Sequence, residues 1–335
     1  MRRFALEPLL RAGLIAGSVM LGLLPGYAHG QITPEAAKQI QNVIGEQADA
    51  LTILGGDFGL ASGNFKSTGT FKFEGNTDAS LGLTKIGGTG EIGDPEPLGT
   101  LDIGFQPRLQ GNIGFLDSTN YLHSPLLQGD ISRLSGHEVE FGGGGRFWLT
   151  DRLSVAPTAL ALYGYMSNSY TANSTYMLMN LPRAKELGLV DWNVNTLTLV
   201  TSLNVQYLIS LNRAIITLSS EPIFFHTATL TSSNENLNVN GDAGSLVDKI
   251  DLDVPLGKEL FGHELRTGGY ISRTDLFGDL RSGLDVPYLY ELHGRLVLDF
   301  LGQLWKLQWL GIGASYLRGP NISGWEVGAD ASFRF

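Results

Sequence analysis

The chain closes on GWEVGADASFRF, in which Trp325, Val327, Ala329, Ala331, Phe333 and Phe335 alternate with Gly324, Glu326, Gly328, Asp330, Ser332 and Arg334. Successive strand residues point to opposite faces, so this stretch predicts a strand with one wholly apolar face. The same pattern runs from Leu284 to Phe300. There Leu284, Val286, Tyr288, Tyr290, Leu292, Leu296, Leu298 and Phe300 share one parity, while Asp285, Glu291, His293, Arg295 and Asp299 take the other. Strands of soluble domains average about 5 or 6 residues. A stripe this long, with aromatic residues near both ends, instead suits a strand that crosses a bilayer in about 9 to 11 residues between two aromatic girdles.

Shorter stripes of the same kind recur. Leu101, Ile103, Phe105, Leu109, Ile113 and Phe115 form one; Val139, Phe141, Phe147 and Leu149 a second; Leu153, Val155, Ala159, Ala161, Tyr163 and Tyr165 a third. Leu197, Leu199, Leu203, Val205 and Tyr207 follow, then Ile216, Leu218 and Phe224, then Ile250, Leu252, Val254 and Leu256, and finally Leu310, Ile312, Ala314 and Tyr316. The connections between stripes alternate in length. Those near Thr150-Asp151, Leu211-Asn212, Gly257 to Leu260 and Leu301 to Gln303 are tight, whereas Ser118 to Gly136, Ser167 to Asp191, Thr231 to Leu246 and Thr274 to Gly283 are long. Outer-membrane barrels pair short periplasmic turns with longer external loops, so the pattern predicts an all-β, transmembrane, antiparallel up-and-down β-barrel of roughly twelve strands, with the C-terminus on the periplasmic side. The barrel is expected over residues 68–335, least defined from Thr68 to Leu98.

Ahead of the stripes the period changes. Thr33-Pro34-Glu35 reads as a helix start, and Ala36, Ala37, Ile40, Val43, Ile44, Ala48 and Leu51 then recur at helical spacing opposite Lys38, Asn42, Glu46 and Asp49. Gly55-Gly56 is the expected stop. A helix of about twenty residues reaches about 30 Å, the thickness of a bilayer core. This segment, 31–67 with its linker, either plugs the barrel lumen, where Lys38, Glu46 and Asp49 would meet charges such as Glu291 and Arg295, or lies across the periplasmic mouth.

Arg2 and Arg3 followed by AGLIAGSVMLGLL and then PGYAHG predict a secretory signal peptide over residues 1–30. Charged residues make up 17% of the chain, against about 25% in ordinary globular proteins, and its 44 glycines exceed the usual share of about 7%. Few charges, much glycine and no second long apolar run suit a sheet that is apolar outside and polar inside. The absence of cysteine excludes disulfide and thiolate chemistry, and the net charge of −10 argues against a nucleic-acid partner.

A signal peptide, a short helix, about twelve amphipathic strands and a last strand ending in Phe335 resemble the translocator domain of autotransporters, and more closely the solitary autotransporter-like β-barrels that lack a passenger. The resemblance implies residence in the bacterial outer membrane, surrounded by its lipid, and delivery by periplasmic chaperones. It also implies that the barrel assembly machinery reads Val327, Ala329, Ala331, Phe333 and Phe335 as an assembly signal.

Chemical motifs change this little. Gly88-Thr89-Gly90-Glu91-Ile92-Gly93 matches a dinucleotide-binding pattern, but Asp94-Pro95-Glu96-Pro97 stands where the helix should begin, so it reads as a turn. Gly142 to Gly145 lacks the Lys-Ser/Thr of a phosphate loop and reads as a bend or a site of close aromatic packing. No cofactor or metal is expected, since there is neither Cys nor a His-Glu-x-x-His pair. His123, His137, His226, His263 and His293 have no Ser or Asp two positions on, so an enzyme is not expected, an outer-membrane lipase or protease being the alternative. The candidate functional residues are instead those that would line the lumen of a pore or structural barrel: Arg146, Glu221, Glu264 and Arg266, with Glu291, His293 and Arg295.

Overall fold

The computed structural model describes residues 34–57, 64–73, 78–98, 103–123, 127–304 and 307–333, so the expected signal peptide and Phe335 lie outside the described residues. Among the described residues, one helix, α1 (Pro34–Asp57), precedes the strands. They are β1 (Asn64–Phe73), β2 (Asp78–Glu91), β3 (Glu96–Pro97), β4 (Gly104–Tyr121), β5 (Ile131–Trp148), β6 (Leu153–Thr171) and β7 (Asn193–Leu211). Then come β8 (Ala214–Ser232), β9 (Gly241–Leu260), β10 (His263–Gly278), β11 (Tyr288–Leu304), β12 (Leu307–Arg318) and β13 (Ile322–Phe333). Two short helices interrupt them, α2 (Thr175–Glu186) and α3 (Asp279–Leu284).

All ladders are antiparallel and most join neighbours in sequence, while pairing of β1 with β13 and of β2 with β4 closes the sheet on itself. Thr68 of β1 lies opposite both Val327 of β13 and Thr84 of β2, and Leu83 of β2 lies opposite Leu116 of β4. Of the thirteen strands in the sheet, β3 has only two residues and bridges onto the start of β4, leaving a closed wall of twelve. Closure leaves no edge with unpaired backbone groups, which is what permits a sheet to stand in hydrocarbon.

Side-chain placement follows the parity read from the sequence. Phe141, Phe224 and Ile312 are 66%, 64% and 66% exposed, and Leu199, Ile250, Leu292, Tyr316, Trp325 and Val327 also point outward. So continuous an exposed apolar surface is foreign to a protein surrounded by water and suits one embedded in lipid. At one end of the barrel, the turn end, the connections are tight. Asn212 has a φ of 54°, and Phe261 and Gly262 have φ of 56° and 79°, values that let a two-residue turn follow the strand twist.

At the other end, the loop end, the strands run further than the sequence indicated. β4 and β5 reach Tyr121 and Ile131, and β6 reaches Thr171. The connection from β6 to β7 contains α2, which Ser174 caps by accepting from the Met177 amide at 3.2 Å. The connection from β10 to β11 contains α3. This corrects the reading of Leu284 and Val286: they are 1% and 0% exposed and face inward, because the residues that continue the alternation ahead of Tyr288 belong to α3 and the loop after it. Nor is Gly88 to Gly93 a loop, since Gly88 and Gly90 lie within β2, opposite Gly111 and Leu109.

Candidate functional site

The lumen has two unlike halves. In the loop-end half α1 packs against β2, β4, β5, β6, β9 and α3, which belong to different sides of the wall. Ile40, Ile44, Ala48, Leu51 and Ile53 join one apolar core with Leu83 and Leu116, with Leu160 and Leu162, and with Leu280 and Leu284 of α3. The helix is buried on its polar side as well, where Gln47, Asp49 and Thr52 are each under 10% exposed. Three glycines bring backbones into contact with it. A Cβ on Gly45 would stand 2.7 Å from the Asn238 carbonyl oxygen, one on Gly283 2.8 Å from Ala50 Cβ, and one on Gly164 2.7 Å from Thr52 Cγ2.

The direction of α1 follows from its partners. Gln41 Nε2 donates to the Leu187 carbonyl at 2.6 Å in the loop after α2, whereas Thr52 reaches Gly164 within β6. The chain therefore enters the lumen from the loop end and leads toward the turn end, where β1 begins opposite the last residues of β13. Asp49 lies at the level of Gly241, the first residue of β9, beside Asp279 of α3. Burial raises its carboxyl to about 7, against the Thr227 hydroxyl, and the Asp279 carboxyl adds to the rise. Asp279 is itself raised, by burial and by Glu46 and Asp242. Glu46 and Asp49 thus face α3, not Glu291 and Arg295 as expected, and Lys38 is exposed.

The loops around α1 are packed to one another. Asp130, fully buried, accepts from Tyr170 Oη at 2.8 Å, from the Asn173 and Ser174 amides at 2.6 Å each and from Ser174 Oγ at 2.8 Å. One carboxylate thereby ties the connection after β4 to the start of α2. Asn234 Nδ2 donates to the Glu186 carbonyl at 2.9 Å, joining the connection after β8 to the end of α2.

The turn-end half is charged. On one side Arg295 pairs in bidentate fashion with Asp251 at 2.8 and 2.7 Å, and Arg266 bridges Asp253 at 3.1 Å and Asp299 at 3.2 Å. Glu264 lies opposite Asp299 on the same inner face. Above them Tyr270 Oη donates to Glu291 at 2.7 Å and stacks on His293, whose Nδ1 is 2.8 Å from Ser315 Oγ. On another side Arg146 meets Glu91 at 3.0 Å and Gln206 at 2.6 Å, and Glu221 accepts from Asn204 at 2.8 Å. Five of the seven expected lumen residues therefore share the wall of β10 and β11, and Arg146 and Glu221 stand apart on β5 and β8.

Lys249, Asp251 and Asp253 were not among the expected lumen residues, although the outward stripe Ile250, Leu252, Val254 on β9 assigned their parity; Tyr270 on β10 had no stripe to assign it. Nor were Glu138 and Glu140 among them, buried in β5, with Glu140 accepting from Gln110 and Asn112 at 2.9 Å each. Lys85 on β2, 6% exposed, lay where the pattern was weakest.

The histidines are dispersed. His226 on β8 pairs with Asp242 at 2.8 Å on the outer face of the loop end, with Leu199 as its neighbour on β7, so no hydroxyl nucleophile adjoins it across the strands. His137 stacks on Tyr165, and His263 packs on Phe300. Among the described residues no group of three or more His, Asp or Glu is placed to hold a metal ion.

Residues 98–328 match the family described as the solitary outer membrane autotransporter beta-barrel domain, a span that leaves out α1, β1, β2 and β3. No curated protein sequence matches the chain. Among solved structures, the transport unit of the autotransporter AIDA-I from Escherichia coli is similar over 86% of this chain and 98% of its own, with a TM-score of 0.55 at 11% identity. The β domain of a Bordetella autotransporter, BrkA, aligns over 81% of this chain and 100% of its own, with a TM-score of 0.49 at 15% identity.

Proposed function

Because this chain belongs to the solitary outer membrane autotransporter β-barrel family, and so resides in the bacterial outer membrane, we propose that it is a pore-type or structural barrel kept closed by its own helix. The carrying observation is the burial of α1 on all sides in the loop-end half of the lumen, from Ile44 to Ile53. In this reading the loop end faces the exterior, the turn end faces the periplasm, and the charged residues Glu264, Arg266, Glu291, His293 and Arg295, with Arg146 and Glu221 across from them, line a vestibule that stops at α1. Lipid surrounds the apolar outer wall. Periplasmic chaperones and the barrel assembly machinery are the partners in biogenesis, the latter reading Val327, Ala329, Ala331 and Phe333 of β13, which pairs with β1, together with Phe335. The histidines supply no specific observation in favour of a hydrolase.

The deciding experiment is single-channel recording of the refolded full chain beside a variant lacking residues 34–57, with heat-modifiable gel migration as the check that both barrels form. The full chain is expected to be silent or to pass small currents, and the deletion to conduct steadily. Equal currents from two folded barrels would remove α1 as the restriction.

A further inference from the structure

The outer wall is apolar over the middle of the barrel, and over β7 to β11 a groove of about 520 Å³ opens on it, one rim of which is polar. Its floor is a row of outward residues paired across four strands, Tyr207, Leu218, Ile250 and Ile271. One step toward the loop end the next row reads Ser220, Asp248, Arg273 and Tyr290, again directly opposite one another, and Arg318 lies opposite Tyr290 on β12.

Charges on a lipid-facing wall are costly near the bilayer centre and tolerated where a headgroup can meet them. Arg273 is oriented for such a meeting. Its Nε and Nη2 donate to Asp275 at 3.0 and 2.7 Å, and its guanidinium lies 5.2 Å from the Tyr288 ring and 5.8 Å from the Tyr290 ring. With the Tyr290 hydroxyl also accepting from the guanidinium, Nη1 keeps at least one N–H for another acceptor. Asp248 is exposed beside it and, among the described residues, makes no hydrogen bond or ion pair. A carboxylate so placed needs donors from outside the protein.

We propose that this groove binds a phosphorylated glycolipid of the outer leaflet. The phosphate takes the Nη1 donors of Arg273, and the sugar's hydroxyl and amide N–H groups donate to Asp248, which a bare phosphate would repel. The faces of Tyr288 and Tyr290 offer flat apolar surfaces to a sugar ring, and an acyl chain lies along Ile271, Ile250 and Leu218. The order of the rows agrees with this orientation, headgroup toward the loop end and chain toward the middle of the bilayer. A phospholipid without sugar donors leaves Asp248 unmet, which is why the site favours the glycolipid.

The test is native mass spectrometry of the refolded full chain in detergent, titrated separately with lipid A and with phosphatidic acid, whose phosphate carries no headgroup alcohol. Wild type is expected to retain lipid A about tenfold more tightly than phosphatidic acid, and Arg273→Gln and Asp248→Asn each to weaken lipid A about tenfold, the effect of losing one charge-assisted hydrogen bond. Ile271→Trp, which fills the groove without altering charge, is expected to weaken lipid A as well, and it serves if either charge variant fails to fold. Equal retention of the two lipids by wild type, or lipid A retention unchanged in the folded variants, would overturn the proposal.

Discussion

The two halves of the lumen are built by different rules. The loop-end half is a core of the kind found inside soluble proteins, with Ile44, Leu51, Leu83, Leu116, Leu162 and Leu284 excluding water around a helix. The turn-end half holds its shape with ion pairs, Arg295 with Asp251 and Arg266 with Asp253 and Asp299, whose side chains keep 15 to 31% of their surface. Close packing tolerates neither voids nor added atoms, whereas partly hydrated ion pairs adjust to the loss of a partner. The same barrel can thus be shut at one end and adaptable at the other. Truncation in the first half should loosen the plug, and charge changes in the second should alter only what a released path would select.

The largest effect is expected from the apolar core. Ile44→Ala and Leu51→Ala should each cost the docking of α1 about 2 to 5 kcal/mol, seen as bursts of current from a barrel that still migrates as folded. A silent double variant would show that closure does not depend on this packing.

Acidity should come next. Asp49 is raised from the usual 3.8 to about 7 when α1 is docked, so the docked state binds the proton more tightly. Docking is therefore strongest below about pH 4, weakens as pH climbs to about 7 and changes little above that. Open probability should rise between pH 4.5 and pH 7.5, and Asp49→Asn should flatten the dependence; an identical rise in that variant would assign it to another group, such as Asp279.

A smaller effect is expected from Gly45→Ala, whose new methyl meets the Asn238 carbonyl. A cost of about 1 to 3 kcal/mol, read as faster proteolysis of the connection between β8 and β9, would sharpen the contrast, since the turn-end half has room that this contact lacks. Smallest should be Arg295→Gln, which leaves Asp251 partly hydrated without its cation and should not open the barrel. In the background of the α1 deletion it should shift the reversal potential toward cations, and an opening by Arg295→Gln alone would contradict the division of the lumen.

The outer wall was legible in advance because a strand's period of two is local. Ile312 faces lipid for the same reason in any register that keeps its neighbours, and Glu291 and Arg295 face inward as a consequence. The loop end was less legible. Leu284 and Val286 continue the alternation of Tyr288 and Tyr290 in sequence yet lie in the core, because a helical turn and a strand of alternating residues offer the same apolar positions over so short a stretch. Lys85 escaped notice because it stands beside Gly82, Gly87 and Gly88, where the pattern is weak, whereas the outward stripe Val139, Phe141 already assigned Glu138 and Glu140 to the inner face.

What the sequence determined alone is the barrel: parity, a wall of roughly twelve strands and the alternation of tight with long connections, although Gly257 to Leu260 and Leu301 to Gln303, read as turns, lie within β9 and β11. Only the tertiary structure decided where α1 goes. Its amphipathic face is compatible with a rim or a lumen, and the choice rests on contacts between residues far apart in sequence, Gly45 with Asn238, Ala50 with Gly283, Thr52 with Gly164. Those contacts bury its polar side too, so Asp49 acquires a partner in Asp279 and a proton affinity that no reading of its own helix would assign.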